Sequence, residues 1–145
     1  MINSRKISDL HPVVQEQCRH FIESCAAQGI DIIITSTLRD NEAQAALYSQ
    51  GRSRPGPIVT QAKPGTSAHN YGLAFDFCPV VNGKADWKNI DVFNRCGAIA
   101  ESLGLEWAGR WTHFVELAHC QNLLRMSLNE WRDQPVKAAS HGLNA

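Results

Sequence analysis

Two short stretches hold the residue types that could bind a metal ion and move a proton. In SAHNYGLAFDF, Ser67 to Phe77, His69 and Asp76 flank a patch that is otherwise small or apolar, in a chain whose charged fraction is only 19%. In WTHFVELAHCQ, Trp111 to Gln121, two more histidines, His113 and His119, stand near the carboxylate of Glu116. Catalytic zinc takes three protein ligands, commonly His nitrogen or carboxylate oxygen, and keeps a fourth position for water. His69 and Asp76 can supply two of the three. Hydrolysis by an activated water also needs a carboxylate that stays off the metal, takes the proton from the water and returns it to a leaving amine. Glu116 lies three residues before His119, whereas Arg110 holds the same offset from His113, so only His119 brings a ligand and a base together locally.

These residues need elements to hold them. If Leu73 to Cys78 is a strand, Ala74, Asp76 and Cys78 share one face and Leu73, Phe75 and Phe77 the other. The small Ala74 leaves room beside the carboxylate. On a continuous strand His69 would fall on the wrong face, but Gly72 permits a bend that returns the imidazole toward Asp76. Upstream, apolar residues from Asp9 to Gln28 form a helical stripe, with Pro12 in the first turn and Gly29 as the stop. The β-branched run Ile30 to Leu38 reads as a buried strand, after which Asp40 can cap a helix that ends at Gly51. Arg39 therefore sits at a strand-to-helix junction, where it could pair with Asp40 or meet a ligand. Gly51 to Ser67 holds three prolines and three glycines without a period and predicts an irregular loop of the kind that is often functional. LAFDFCPVV alternates as a strand into an Asn82-Gly83 hairpin, and Asp91 begins a helix that Gly104 stops. THFVELAHCQ reads as a strand with a distorted end, NLLRMSLNEWRD as a closing amphipathic helix, and 135–145 as a frayed tail. Helices mixed with short, partly antiparallel strands predict an α+β domain.

Composition narrows the options. A chain of 145 residues has the size of one domain, expected here as a catalytic unit over 1–134. Fourteen basic and fourteen acidic residues cancel, so no global field favours nucleic acid or an anionic membrane surface. The N-terminus lacks an apolar run of secretory length, and no segment has the roughly 20 apolar residues needed to span a bilayer; the expectation is a protein kept in the cytoplasm. Cys18, Cys25, Cys78, Cys96 and Cys120 are odd in number and form no CxxC pair, which predicts buried thiols rather than disulfides or a zinc knuckle. Trp107, Trp111 and Trp131 read as core.

The constellation Ser67, His69, Gly72, Ala74, Asp76 and Phe77 resembles the SxHxxGxAxDF motif of the VanY-like zinc peptidoglycan peptidases, especially the L-alanyl-D-glutamate peptidases that serve as phage endolysins. The likeness runs in order from Ile30 to Gln121. STLRDNEAQAALYSQGRSRPGPIVTQAKPG is similar to the family's arginine, helix and proline-rich loop, and GLEWAGRWTHFVELAHCQ to its tryptophan-rich run ending in an acid and the last histidine. The resemblance implies one zinc ion held by His69, Asp76 and His119, with Glu116 as general base and acid. It further implies that Arg39 contacts substrate or the developing oxyanion and that the Ser67 hydroxyl lies near the substrate backbone. Ala118 and Cys120 depart from the proline and aromatic residue that flank the last histidine in many relatives. His113 is read as a neighbour of the site.

The implied fold is the D,D-peptidase/Hedgehog-like one, a single domain with a small, largely antiparallel sheet flanked by helices and zinc at the sheet. The implied function is hydrolysis of the L-alanyl-D-glutamate bond in peptidoglycan stem peptides. A monomeric lysis enzyme would wait in the cytoplasm for a holin to give it access to the wall, without nucleic acid or membrane insertion. Two alternatives remain: a D,D-carboxypeptidase of the same architecture, and a non-catalytic wall-binding module with structural zinc.

Overall fold

A computed structural model describes residues 1–134, so the expected tail at 135–145 lies outside the described residues. Helix α1 (Pro12–Ala27) starts later than the stripe suggests, because Ile7–Asp9 forms a separate 3-10 turn and His11 caps α1 by accepting the Val13 amide on Nδ1 at 3.2 Å. Its apolar stripe buries Val14, Cys18, Phe21 and Cys25 completely. Strand β1 (Asp31–Ser36) follows. Asp40 then caps α2 (Asn41–Ser49), its carboxylate accepting the Ala43 amide at 2.8 Å.

Strand β2 (Ala74–Val81) is the axis of the molecule. It pairs antiparallel with β1, with Ile34 opposite Phe77 and, after an irregularity, Ser36 opposite Asp76. The hairpin at Asn82 and Gly83, with φ of 53° and 77°, leads to the two-residue β3 (Lys84–Ala85). Asn89 caps α3 (Ile90–Ser102) by accepting the Val92 amide, and β4 (Glu106–Trp107) and β5 (His119–Gln121) complete the sheet. The path is β1-β2-β5-β4 with β3 off β2, and every pair is antiparallel. This is the expected α+β arrangement.

The period of two along β2 separates core from site. Phe75 and Phe77 are fully buried against Phe21 of α1, with ring centroids 5.6 and 4.9 Å away, and Phe93 of α3 lies 5.4 Å from Phe77. Each such ring stabilises the fold by about 1.5–3 kcal/mol through burial. Asp76 points to the opposite face. Trp107 is buried where Gly97 of α3 and Gly109 leave space for its indole, and a Cβ at either glycine would overlap the ring.

Two elements differ from the sequence reading. Only His119–Gln121 of the expected strand pairs; residues 111–118 form an irregular loop in which Phe114 has φ 46° and the Glu116 carbonyl accepts the His119 amide. The closing helix α4 is confined to Leu128–Arg132. Leu124 and Arg125 are left-handed, Asn122 accepts the Leu124 amide in a side-chain turn, and a Ser127–Glu130 capping box starts the helix late. All five cysteines are free and buried, as expected.

Candidate metal centre

His69 is carried by a 3-10 turn, Ala68–Tyr71, rather than by a strand. Ser67 caps the turn by accepting the His69 amide at 3.2 Å, and Asn70 returns the bond to the Ser67 amide at 3.1 Å. Gly72, with φ 69°, ends it in the left-handed conformation and lets the chain enter β2. The bend expected at Gly72 is therefore present. His119, at the start of β5, lies opposite Asp76 in the β2–β5 register.

Three ligand atoms converge. His69 Nε2 and His119 Nδ1 each lie 3.2 Å from Asp76 Oδ1, and one ligand atom from each residue lies within 4.8 Å of the others. Ligands sharing a tetrahedral zinc at about 2.0–2.1 Å stand roughly 3.4 Å apart, so the two spacings to Asp76 fit. The proton inventory fits as well. His69 Nδ1 donates to the Thr37 carbonyl at 2.7 Å, and His119 Nε2 donates to Gln121 Oε1 at 2.7 Å. In each neutral ring the remaining nitrogen then carries a lone pair facing a carboxylate oxygen. Three lone pairs aimed at one point suit a cation. His69 and His119 are 2% and 5% exposed.

The charges around this point are coupled. Burial pushes the Asp76 carboxyl up, but His69 and His119 together outweigh burial and hold it well below the usual carboxylate range. Burial lowers His69 against the pull of Asp76. For His119 burial also acts downward, yet its hydrogen bond to Asp76 prevails and raises it. Glu116 is half-buried and raised, chiefly by burial, against His119 and with Asp76.

Arg39 is 8% exposed and does not pair with Asp40. Its guanidinium donates to Gln44 Oε1 at 2.9 Å and Ser36 Oγ at 3.1 Å, stands 3.9 Å from Asp76 Oδ2, and leaves Nε without a partner among the described residues. Gln44, fully buried, donates in turn to the Ala62 carbonyl of the proline-rich loop at 2.8 Å. Arg39, Ser67, His69, Asp76, Glu116 and His119 all line one cavity of about 680 Å³. Trp111 and His113 also line it, so Trp111 belongs to the cavity wall rather than the core, whereas Trp107 and Trp131 are core.

Sequence reasoning missed Gln44, Gln121 and Glu106. Gln121 was accessible in principle: two residues beyond His119, it shares that residue's face on a strand. Nothing local marks Glu106, which meets Gln121 only across the β4–β5 ladder.

The VanY family model, described as D-alanyl-D-alanine carboxypeptidase, matches residues 7–114, a span that includes His69 and Asp76 and stops before Glu116 and His119. The chain is 38% identical over 129 residues to the peptidoglycan L-alanyl-D-glutamate endopeptidase CwlK of Bacillus subtilis, covering 79% of this chain and 74% of the relative. It is 30% identical to the L-alanyl-D-glutamate peptidase of Listeria phage A118, covering 83% of this chain but only 40% of that protein. Among solved structures, the Serratia marcescens L-Ala D-Glu endopeptidase ChiX aligns with TM-score 0.65 at 17% identity, covering 87% of this chain and 86% of its own. The Zn(II) complex of the VanY D,D-pentapeptidase E175A mutant, from a VanB-type resistance cassette, aligns with TM-score 0.61 at 16% identity, covering 87% and 79%. These structures share the fold.

Proposed function

The chain belongs to the VanY family, and from that premise we propose that it is a zinc-dependent peptidoglycan peptidase that hydrolyses the L-alanyl-D-glutamate bond of stem peptides. The observation that carries the reading is the convergence of His69 Nε2, Asp76 Oδ1 and His119 Nδ1, with the other nitrogen of each imidazole already donating elsewhere. The choice of bond is supported by the names of the Bacillus subtilis and phage relatives.

Zinc held by these three residues would polarise the scissile carbonyl and acidify a water. Glu116, a half-buried carboxylate on the same cavity, takes the proton from the attacking water and passes it to the departing D-glutamate nitrogen. Arg39, held by Ser36 and Gln44 on the wall of the same cavity, steadies the developing oxyanion. Ser67 accepts the His69 amide on its oxygen and keeps its O–H to donate to the substrate backbone.

A D,D-carboxypeptidase activity is the second reading, favoured by the family description, with Arg39 gripping a terminal carboxylate. The phage relative supports a lysis role; within that proposal the chain acts as a monomer and reaches the wall through a holin. Among the described residues no helix is long and apolar enough to cross a membrane.

The test is mass spectrometry of purified peptidoglycan incubated with zinc-loaded protein beside a chelated control. New L-alanine carboxyl ends with free D-glutamate amines, only in the zinc sample, support the endopeptidase. Release of D-alanine alone replaces it with the carboxypeptidase, and intact peptidoglycan with bound zinc refutes both in favour of a binding module.

A further inference from the structure

We propose that Gln121 and Glu106 are positioning residues that hold His119 in the one neutral tautomer able to present Nδ1 to a metal. The inference rests on the zinc reading above and extends it beyond the three ligands. A neutral imidazole has one N–H, and His119 has an acceptor at each end: Asp76 Oδ1 at 3.2 Å from Nδ1 and Gln121 Oε1 at 2.7 Å from Nε2. If the proton sits on Nδ1, it bonds Asp76 and removes the lone pair that a metal needs. An amide can offer an imidazole either its oxygen or its NH2, so Gln121 alone does not decide the tautomer.

Glu106 decides it. Its carboxylate can only accept, and Oε1 lies 3.1 Å from Gln121 Nε2. The amide NH2 must therefore face Glu106, which turns the amide oxygen toward His119 and draws the histidine proton to Nε2. The other carboxylate oxygen accepts the Trp111 indole N–H at 2.7 Å, so both oxygens of Glu106 are committed. Strand register builds the relay: Glu106 is directly opposite Gln121 in the β4–β5 pair, and Gln121 lies two residues beyond His119 with 7% exposure. Hydrogen-bond partners of this kind, removed from a metal-binding histidine, typically cost 10–100-fold in metal affinity.

The experiment compares the full chain with Q121L and with the exchange variant E106Q/Q121E. In the exchange variant the new carboxylate at position 121 accepts from His119, while the new amide at 106 donates to it and still accepts from Trp111. Zinc affinity is measured by chelator competition, and the His119 tautomer by ring-nitrogen chemical shifts in the metal-free protein. Q121L is expected to bind zinc about 10–100-fold more weakly and to move the His119 proton toward Nδ1, and the exchange variant to restore affinity and tautomer together. Wild-type affinity and an Nε2–H tautomer in Q121L would overturn the inference, as would an exchange variant no better than Q121L. A wild-type chain that takes up no zinc would refute the metal reading, while the tautomer comparison would still decide the relay.

Discussion

Replacing Glu116 by glutamine removes a charge and keeps the shape. The loop around it is held by main-chain bonds, its amide donating to the Ala108 carbonyl and its carbonyl accepting the His119 amide, both at 3.3 Å, so His119 should stay in place. The two metal-facing histidines take their supporting bonds from Thr37 and Gln121, not from Glu116, so zinc should be retained. On the proposed mechanism, what is lost is proton transfer in both directions. General acid–base catalysis contributes about 10²–10⁴ in rate, and at about 1.36 kcal/mol per decade that is roughly 2.7–5.4 kcal/mol of barrier. The assay is kcat/KM on a defined stem peptide, with zinc content measured on the same sample. Metal-free protein gives a second reading: burial raises the Glu116 carboxyl, so a pH titration followed by carboxyl chemical shifts should find it above the usual glutamate range, a step missing from E116Q. A carboxyl that titrates higher in the folded chain stabilises it at low pH and loses that contribution as pH rises through the folded value. At neutral pH, metal-free E116Q should accordingly melt no lower than wild type. A zinc-loaded variant within tenfold of wild-type kcat/KM would remove Glu116 from the role, and loss of zinc would make it a ligand.

Other consequences are as direct. Chelation should lower Tm: free zinc at a thousandfold Kd stabilises by about 4 kcal/mol, which at about 2–4 °C per kcal/mol for a chain of this size is roughly 8–16 °C, read by thermal melts with and without chelator. Arg39→Lys keeps a cation but loses the planar fork that bonds Ser36 and Gln44; kcat should fall about 10²–10³-fold, the usual cost of one oxyanion donor, checked by steady-state kinetics at equal zinc loading. Gly97→Ala puts a methyl into the Trp107 ring and should destabilise by about 1–3 kcal/mol, the cost of overpacking, measured as a shift in urea midpoint.

The helical stripe, the β-branched strand, the Asp40 cap and the Asn82-Gly83 hairpin were legible because their causes are local. So was the convergence of His69 with Asp76, since Gly72 in its left-handed conformation is a local device. The loop at 111–118 and the shortened α4 were not. Their apolar residues repeat as a strand or helix would, but Phe114, Leu124 and Arg125 adopt positive φ, which no simple residue pattern announces for such side chains. The supporting bonds of the site were hidden for another reason. Thr37 meets His69 across 32 residues, and Glu106 meets Gln121 only once the strands are aligned.

The bond from Gln44 to Ala62 sets a rule for anyone redesigning the entrance to this cleft. Arg39 is gripped by a glutamine whose other end holds a carbonyl of the proline-rich loop. The loop is thus a structural strut for the guanidinium as well as a wall. A graft from another protein can change the loop's length and side chains freely only if it returns a carbonyl oxygen to that spot; one that does not would leave the buried Gln44 amide unanswered and slacken Arg39 from behind. Altered substrate preference and impaired chemistry would then arrive together in loop libraries, and selecting for an oxygen at that position is the way to separate them.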